Sequence, residues 1–204
     1  YISKIPPKTF TFQNTLNIGN FALLDEAACV GGPIADNIQA SLAISHVQQD
    51  GYLHNIVPGI GNPDAANRTG VRGHLRWQPA GARVKALGAR YIYKSEKGAT
   101  NDTRLFPAIA TSAGGKAPFT APLANSIVGN YHDVAIPLLP LSNFIGYGLS
   151  DELTWKLNDH LTLKSVSAFR TAQDFNLQEG TSTEILYSTS TSLSKEYQLS
   201  QEFN

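Results

Sequence analysis

Within the stretch from Leu153 to Arg170, apolar and polar residues strictly alternate in Leu153-Thr-Trp155-Lys-Leu157 and again in Leu161-Thr-Leu163, and only Asn158-Asp159-His160 lies between the two runs. A period of two is that of a β-strand with one apolar and one polar face, and Asn and Asp favour a tight reversal because they tolerate left-handed backbone and bond their own main chain. The stretch therefore predicts a β-hairpin. Leu153, Trp155, Leu157, Leu161, Leu163 and Phe169 take one face, and Thr154, Lys156, Thr162 and Lys164 take the other. Such a sheet packs its apolar face on a core or turns it to lipid.

The same theme recurs along the chain. Phe10, Phe12, Leu16 and Ile18 alternate with polar residues up to Gly19-Asn20, and a less regular segment, about Phe21 to Val30, leads to Gly31-Gly32-Pro33. Further strands are predicted from Ile38 towards Asp50-Gly51, from Val71 to Trp77, from Val84 to Lys94, and around Tyr197, Leu199 and Phe203. Breaker-rich stretches separate them, one running to about Arg68 and the longest from about Ser95 to Asn143. Eight strands result, with short junctions near Pro33, Gly81 and Asp159 and long ones near Pro58, Gly115 and Gly180. In an up-and-down sheet this puts the tight turns at one end and the long connections at the other. Such asymmetry, with Trp and Tyr near strand ends, predicts an all-β, antiparallel transmembrane β-barrel with short periplasmic turns and long outer loops. A soluble β-sandwich binding module is the competing architecture, since its antiparallel strands also alternate.

Composition narrows the function classes. The 204 residues carry 16 Lys plus Arg against 16 Asp plus Glu, so no net charge argues for nucleic acid. The one cysteine, Cys29, excludes an internal disulfide and a thiolate cluster. No run of about 18 apolar residues is present for an α-helical span, whereas a transmembrane strand needs only about ten alternating residues. The chain has no Met and opens on Tyr1-Ile-Ser-Lys without a signal segment, which reads as a processed chain or a fragment. His46, His54, His74, His132 and His160 lack metal-ligand spacing, and Asp25-Glu26 fall on opposite faces of a strand. The Ser188 to Ser192 run lacks a nucleophile turn. The expectation is a protein that is not an enzyme, with no catalytic residues, no metal site and no cofactor.

Several motifs carry a resemblance. Tyr1-Ile-Ser-Lys-Ile-Pro resembles the join between plug and barrel in TonB-dependent outer-membrane receptors. Val30-Gly-Gly-Pro33-Ile34 resembles that family's first periplasmic turn, and Gln49-Asp50-Gly51-Tyr52 its approach to an outer loop. Thr69-Gly-Val-Arg-Gly-His-Leu-Arg-Trp-Gln-Pro79 is similar to the family's Gly-x-Arg-Gly-x-Leu-x-Trp/Tyr-x-Pro strand, and Ser167-Ala-Phe-Arg170 and Leu199-Ser-Gln-Glu-Phe203 are likewise family-like. Their order and spacing are more specific than any one of them.

The resemblance implies that residues 1–7 are a plug-to-barrel connection and that residues 8–204 are the first part of a barrel of about twenty-two strands. It implies a Gram-negative outer-membrane location and energy-coupled uptake of a scarce nutrient. The partners implied are outer-membrane lipid, the TonB-ExbB-ExbD system acting through a plug segment outside these residues, and a siderophore, corrinoid, saccharide or aromatic ligand. Tyr52, His54, Asn67, Arg68, Asp102, Arg104, Tyr131 and His132 are the candidate ligand contacts, read as loop residues, and Ser95 to Asn143 is read as a ligand-binding or lid loop. The alternatives are a passive porin or small eight-stranded barrel, and the soluble sandwich. On the barrel reading Leu42, Ile44, Val71, Leu75, Leu153, Leu157, Leu161 and Leu163 face lipid, while Gln39, Ser41, Arg72, Arg76, Lys156 and Lys164 face the lumen. The strands around Phe10 and Leu199 are expected to leave the sheet unclosed.

Overall fold

A computed structural model describes residues 5–78, 84–96, 132–179, 186 and 189–204, with the backbone alone for 84–96. The strands are β1 (Thr11–Gly19), β2 (Leu23–Ala35), β3 (Ile38–Gln49), β4 (His54–Asn55), β5 (Ala66–Trp77), β6 (Val84–Glu96), β7 (Asp133–Val134), β8 (Leu141–Lys156), β9 (Thr162–Glu179) and β10 (Thr189–Phe203). Eight of them form one antiparallel sheet in the order β1-β2-β3-β5-β6-β8-β9-β10, which is chain order with β4 and β7 set aside. The fold is all-β and antiparallel. Each strand pairs with its neighbour in the chain, so every reversal is local and long crossovers are not needed.

The predicted hairpin is present. Leu157 N–H donates to Leu161 O at 2.9 Å, and the Asn158 side-chain oxygen accepts from the His160 and Leu161 N–H groups at 2.9 and 2.8 Å. That Asn side chain takes the place of a backbone turn, as its chemistry predicts. Leu157 and Leu161 lie in this reversal, just beyond the β8–β9 ladder.

Along most of the sheet the register keeps two faces apart; β6 is the exception, where Arg90 pairs with Gly73 and Leu149, and Lys94 with Thr69 and Ile145, so two basic positions stand in rows of the apolar side. Ile44 pairs with Ala28 and Val71, and Val30 with Phe12 and Leu42, while Leu149 pairs with Phe169 and Phe169 with Leu199. With a period of two, pairs in register share a face, so apolar residues of β1 to β3, β5 and β8 to β10 collect on one side. Gln39, Ser41, Arg72, Arg76, Lys156 and Lys164 take the other side, as their register partners require. The apolar face has its own polar patch, in which Ser167 Oγ donates to Gln201 Oε1 at 2.7 Å and Gln201 Nε2 donates to Ser165 Oγ at 2.9 Å.

Three expectations differ from the structure. The segment from Phe21 to Val30, read as irregular, is mostly β2, because the ladders to β1 and β3 satisfy its backbone although its side chains do not alternate. The turn expected at Val30 to Ile34 also lies within β2, and the chain reverses instead at Asp36–Asn37 after a register shift between Pro33 and Ala35. A proline without an N–H fits such an irregular position. The Gly31-Gly32 pair serves close packing rather than a reversal: a Cβ on Gly31 would stand 2.8 Å from Pro7 Cδ, and one on Gly32 would stand 3.0 Å from Phe10 Cα. Finally, the long segment begins later and ends earlier than expected, since β6 reaches Glu96 and β8 starts at Leu141.

The tight junctions β2–β3, β5–β6 and β8–β9 share one end of the sheet, and the connections 50–65, 97–140 and 180–188 share the other. The turn β1–β2, only residues 20–22, lies at the end of the long connections. Among the described residues β1 pairs only with β2 and β10 only with β9, so the sheet is open.

Candidate functional site

At the end of the long connections, two segments far apart in sequence are built into one platform. His54 and Asn55 of β4 run parallel to Asp133 and Val134 of β7, with His54 N–H donating to His132 O at 2.8 Å and Ile56 N–H to Val134 O at 2.9 Å. A two-residue ladder is too short to hold by itself. Asn55 supplies the missing bonds. Its amide nitrogen donates to Ile136 O at 2.9 Å, and its Oδ1 accepts from Ile136 N at 3.1 Å and from Val57 N at 3.2 Å. The Asn55 backbone N–H in turn donates to Asn62 Oδ1 at 3.1 Å. Since Asn55 is buried, these bonds replace the water it has lost.

Under this network Leu53, Val134 and Ile136 form a small buried cluster, with Leu139 packed against it. Gly51 is buried at the root of the segment, where a Cβ would stand 2.1 Å from Pro63 O. Only glycine lets the chain pass so close to that backbone. His54 Nδ1 lies 3.0 Å from Asp133 Oδ1, an exposed contact across the two segments.

The predicted contact residues fall into three groups. Tyr52, His54 and His132 come together on the platform or beside it, with the Tyr52 ring edge-on to Phe21 at 6.4 Å. Asn67 and Arg68 are not loop residues: both lie in β5, where Asn67 pairs with Gln48 and Glu96, and Arg68 with Val47 and Ser95. They therefore fall on opposite faces of the sheet. The breaker-rich stretch ends earlier than its composition implies because β5 starts at Ala66, in register with Gln49. Asp102, Arg104 and Tyr131 lie outside the described residues, as does most of the segment expected to be a ligand-binding or lid loop.

Sequence reasoning missed Asn55, Asn62 and Asp133. Asn62-Pro63 was a visible turn signal, but nothing local marks Asn55, whose main partner is 81 residues away. Chemically, the platform offers a hydrogen-bonding surface of imidazole, carboxylate and phenol groups on a rigid base. Among the described residues no group of three or more His, Cys, Asp or Glu side chains could hold a metal ion.

The polar face of the sheet is the second feature able to meet a ligand. Beside β5 it has a depression of about 400 Å³ lined by Gln13, Thr15, Cys29, Ser45, Gly70 and Arg72 among others. Its floor is low because Ala27, Cys29, Ala43, Ser45 and Gly70 have short side chains or none.

No protein-family model matches the chain, and neither a curated protein nor a solved structure matches it.

Proposed function

We propose that this chain is part of the wall of an outer-membrane β-barrel receptor of the TonB-dependent kind, which imports a scarce nutrient with energy supplied from the inner membrane. One observation carries the reading. Among the described residues the buried aliphatic side chains are, prolines aside, Leu53, Val134, Ala135 and Ile136, all in the platform, while no aliphatic or aromatic side chain described in the eight-stranded sheet is buried: each is exposed or half-buried. Leu42 is 52 % exposed, Ile44 50 % and Leu149 59 %. In water each such half-exposed side chain forgoes about half of the roughly 1.5–3 kcal/mol that full burial gives, a loss that lipid removes. Three tight junctions at one end and three long connections at the other, with the short β1–β2 turn among the latter, suit the periplasmic and outer ends of such a barrel.

The alternatives fit less well. A closed eight-stranded barrel needs β1 bonded to β10, and a sandwich needs a second sheet over the apolar face. Among the described residues β1 and β10 are not paired, and the only other sheet is the two-stranded β4–β7 ladder. A larger barrel leaves both edges to be met by further strands, since unpaired N–H and C=O groups are costly in lipid.

The test is made on the full-length gene product. It should fractionate with the outer membrane and migrate as a compact species unless boiled, and accumulation of its nutrient should stop when the TonB system is deleted. Uptake unchanged in that deletion would favour a passive pore, and a soluble product would dismiss both membrane readings.

A further inference from the structure

We infer that the exposed side of the β4–β7 platform is a binding site for a vicinal diol carried on a flat ring, the chemistry that pyranose sugars share with catechols. The inference rests on the receptor reading, which turns this end of the sheet to the outside. A strict alternation of burial sets the geometry. Gly51, Leu53 and Asn55 are buried while Tyr52, His54 and Ile56 are exposed, so the segment presents the latter three on one side. Across the ladder Asp133 is in register with His54 and touches it. The base beneath is fixed by the hydrogen bonds of the buried Asn55.

The polar half of the site only accepts. A carboxylate has no proton to give, so the 3.0 Å contact is His54 Nδ1–H donating to Asp133 Oδ1. The neutral imidazole then keeps Nε2 as an acceptor, and Asp133 Oδ2 is a second acceptor beside it. Neither atom has another partner among the described residues. A ligand that meets both must donate two hydrogens from nearby atoms, as adjacent hydroxyls do. Carboxylates and phosphates, which accept, are turned away. An ammonium concentrates its donors on one atom, whereas these acceptors stand on two different side chains.

An apolar half lies next to it. Tyr52 is two residues from His54, at most about 7 Å between Cα atoms, and its ring meets that of Phe21 with centroids 6.4 Å apart and planes at 64°. Two rings at such an angle make a corner against which a flat ring can rest, and both are about half-exposed, Phe21 at 52 % and Tyr52 at 46 %. The C–H face of a sugar and the ring of a catechol both suit an aromatic wall. Phe21 is a costly occupant of its place: its φ of 59° is left-handed, a region that bulky residues rarely adopt. Burial explains little of it, since half of the ring stays open, and strained backbone of this kind gathers at ligand sites. Asp50 N–H donates to Phe21 O at 2.8 Å and ties the turn to the root of the platform.

The test uses the full-length protein in detergent, first shown to be folded by its heat-dependent migration. Catechol, its monomethyl ether guaiacol, benzylamine and maltotriose are titrated by saturation-transfer NMR. Catechol or maltotriose should bind, the first result assigning an aromatic diol and the second a saccharide. Guaiacol and benzylamine, which carry the ring without the diol, should bind about tenfold more weakly than the diol that binds, the scale of one lost charge-assisted hydrogen bond. Asp133→Asn, which turns one acceptor into a donor at the same shape, and Tyr52→Leu should each weaken diol binding about tenfold. Tyr52→Phe keeps the ring and should restore it, and Lys164→Gln, at the far end of the sheet, should leave it unchanged. Binding of neither diol to folded protein, guaiacol or benzylamine binding as tightly as the diol, or full affinity in both Asp133→Asn and Tyr52→Leu would overturn the inference. Each of these leaves the receptor reading standing, because localisation and TonB-dependent uptake are measured separately.

Discussion

Phe21 and Ala22 hold the β1–β2 turn with φ of 59° and 51°, a left-handed pair that closes the reversal through Leu23 N–H to Asn20 O at 3.2 Å. Two successive left-handed residues are the geometry that twisted hairpins prefer, and Asn-Gly is its usual sequence. Here Gly19-Asn20 ends the strand but neither left-handed position is a glycine, so the hairpin was not legible and the following segment read as irregular. Left-handed backbone costs an ordinary L-residue about 1–2 kcal/mol. Ala22→Gly should therefore stabilise the protein by up to about 1 kcal/mol, after the entropy cost of glycine in the unfolded chain. The check is the midpoint of denaturant unfolding: a shift to lower denaturant would mean that Ala22 makes contacts outweighing its strain. Phe21 is a poorer place for the same change, since its ring packs on Tyr52.

At the scale of elements, the β8–β9 hairpin and the strands β3 and β5 were legible because periodicity and turn residues are local signals. The β4–β7 ladder was not. Its stability comes from Asn55 bridging to Ile136 and from Leu53 packing beneath, contacts that no window of sequence displays. For the same reason His54 and His132 could be named as candidates, while the asparagine that positions them could not. Asn55→Ala leaves the Ile136 N–H and C=O without their partner, at a cost of about 1–3 kcal/mol if both stay buried. Amide exchange should then accelerate at His54, Ile56 and Ile136 while the amides of β3 and β8 keep their protection. Unchanged exchange at those three positions would show that the buried apolar cluster alone holds the platform. Gly51→Ala should release the same unit by another route, since its Cβ would displace the chain at Asn62 and Pro63.

At the scale of the whole molecule, the two faces of the sheet were legible before any coordinates, and β2 was the strand that hid. Leu23 to Val30 lacks strict alternation because small residues such as Ala27, Ala28 and Cys29 sit on both faces. Periodicity finds strands through contrast, and small side chains supply little of it. The faces make an energetic prediction: Leu149→Arg on the apolar side should cost about 2–4 kcal/mol on folding into vesicles, whereas Ser150→Arg on the polar side should cost far less. An inverted order would reverse the assignment of the faces. The most direct measurement of the central claim is a spin-label scan of β3 in the full-length protein in bilayers, with Cys29 first changed to serine. Positions 40, 42 and 44 should be open to dissolved oxygen and shielded from a water-soluble nickel chelate, and positions 39, 41 and 43 should give the weaker oxygen response. A period of two in that scan is the predicted result; equal exposure of all six positions to the nickel chelate would contradict a lipid-facing sheet.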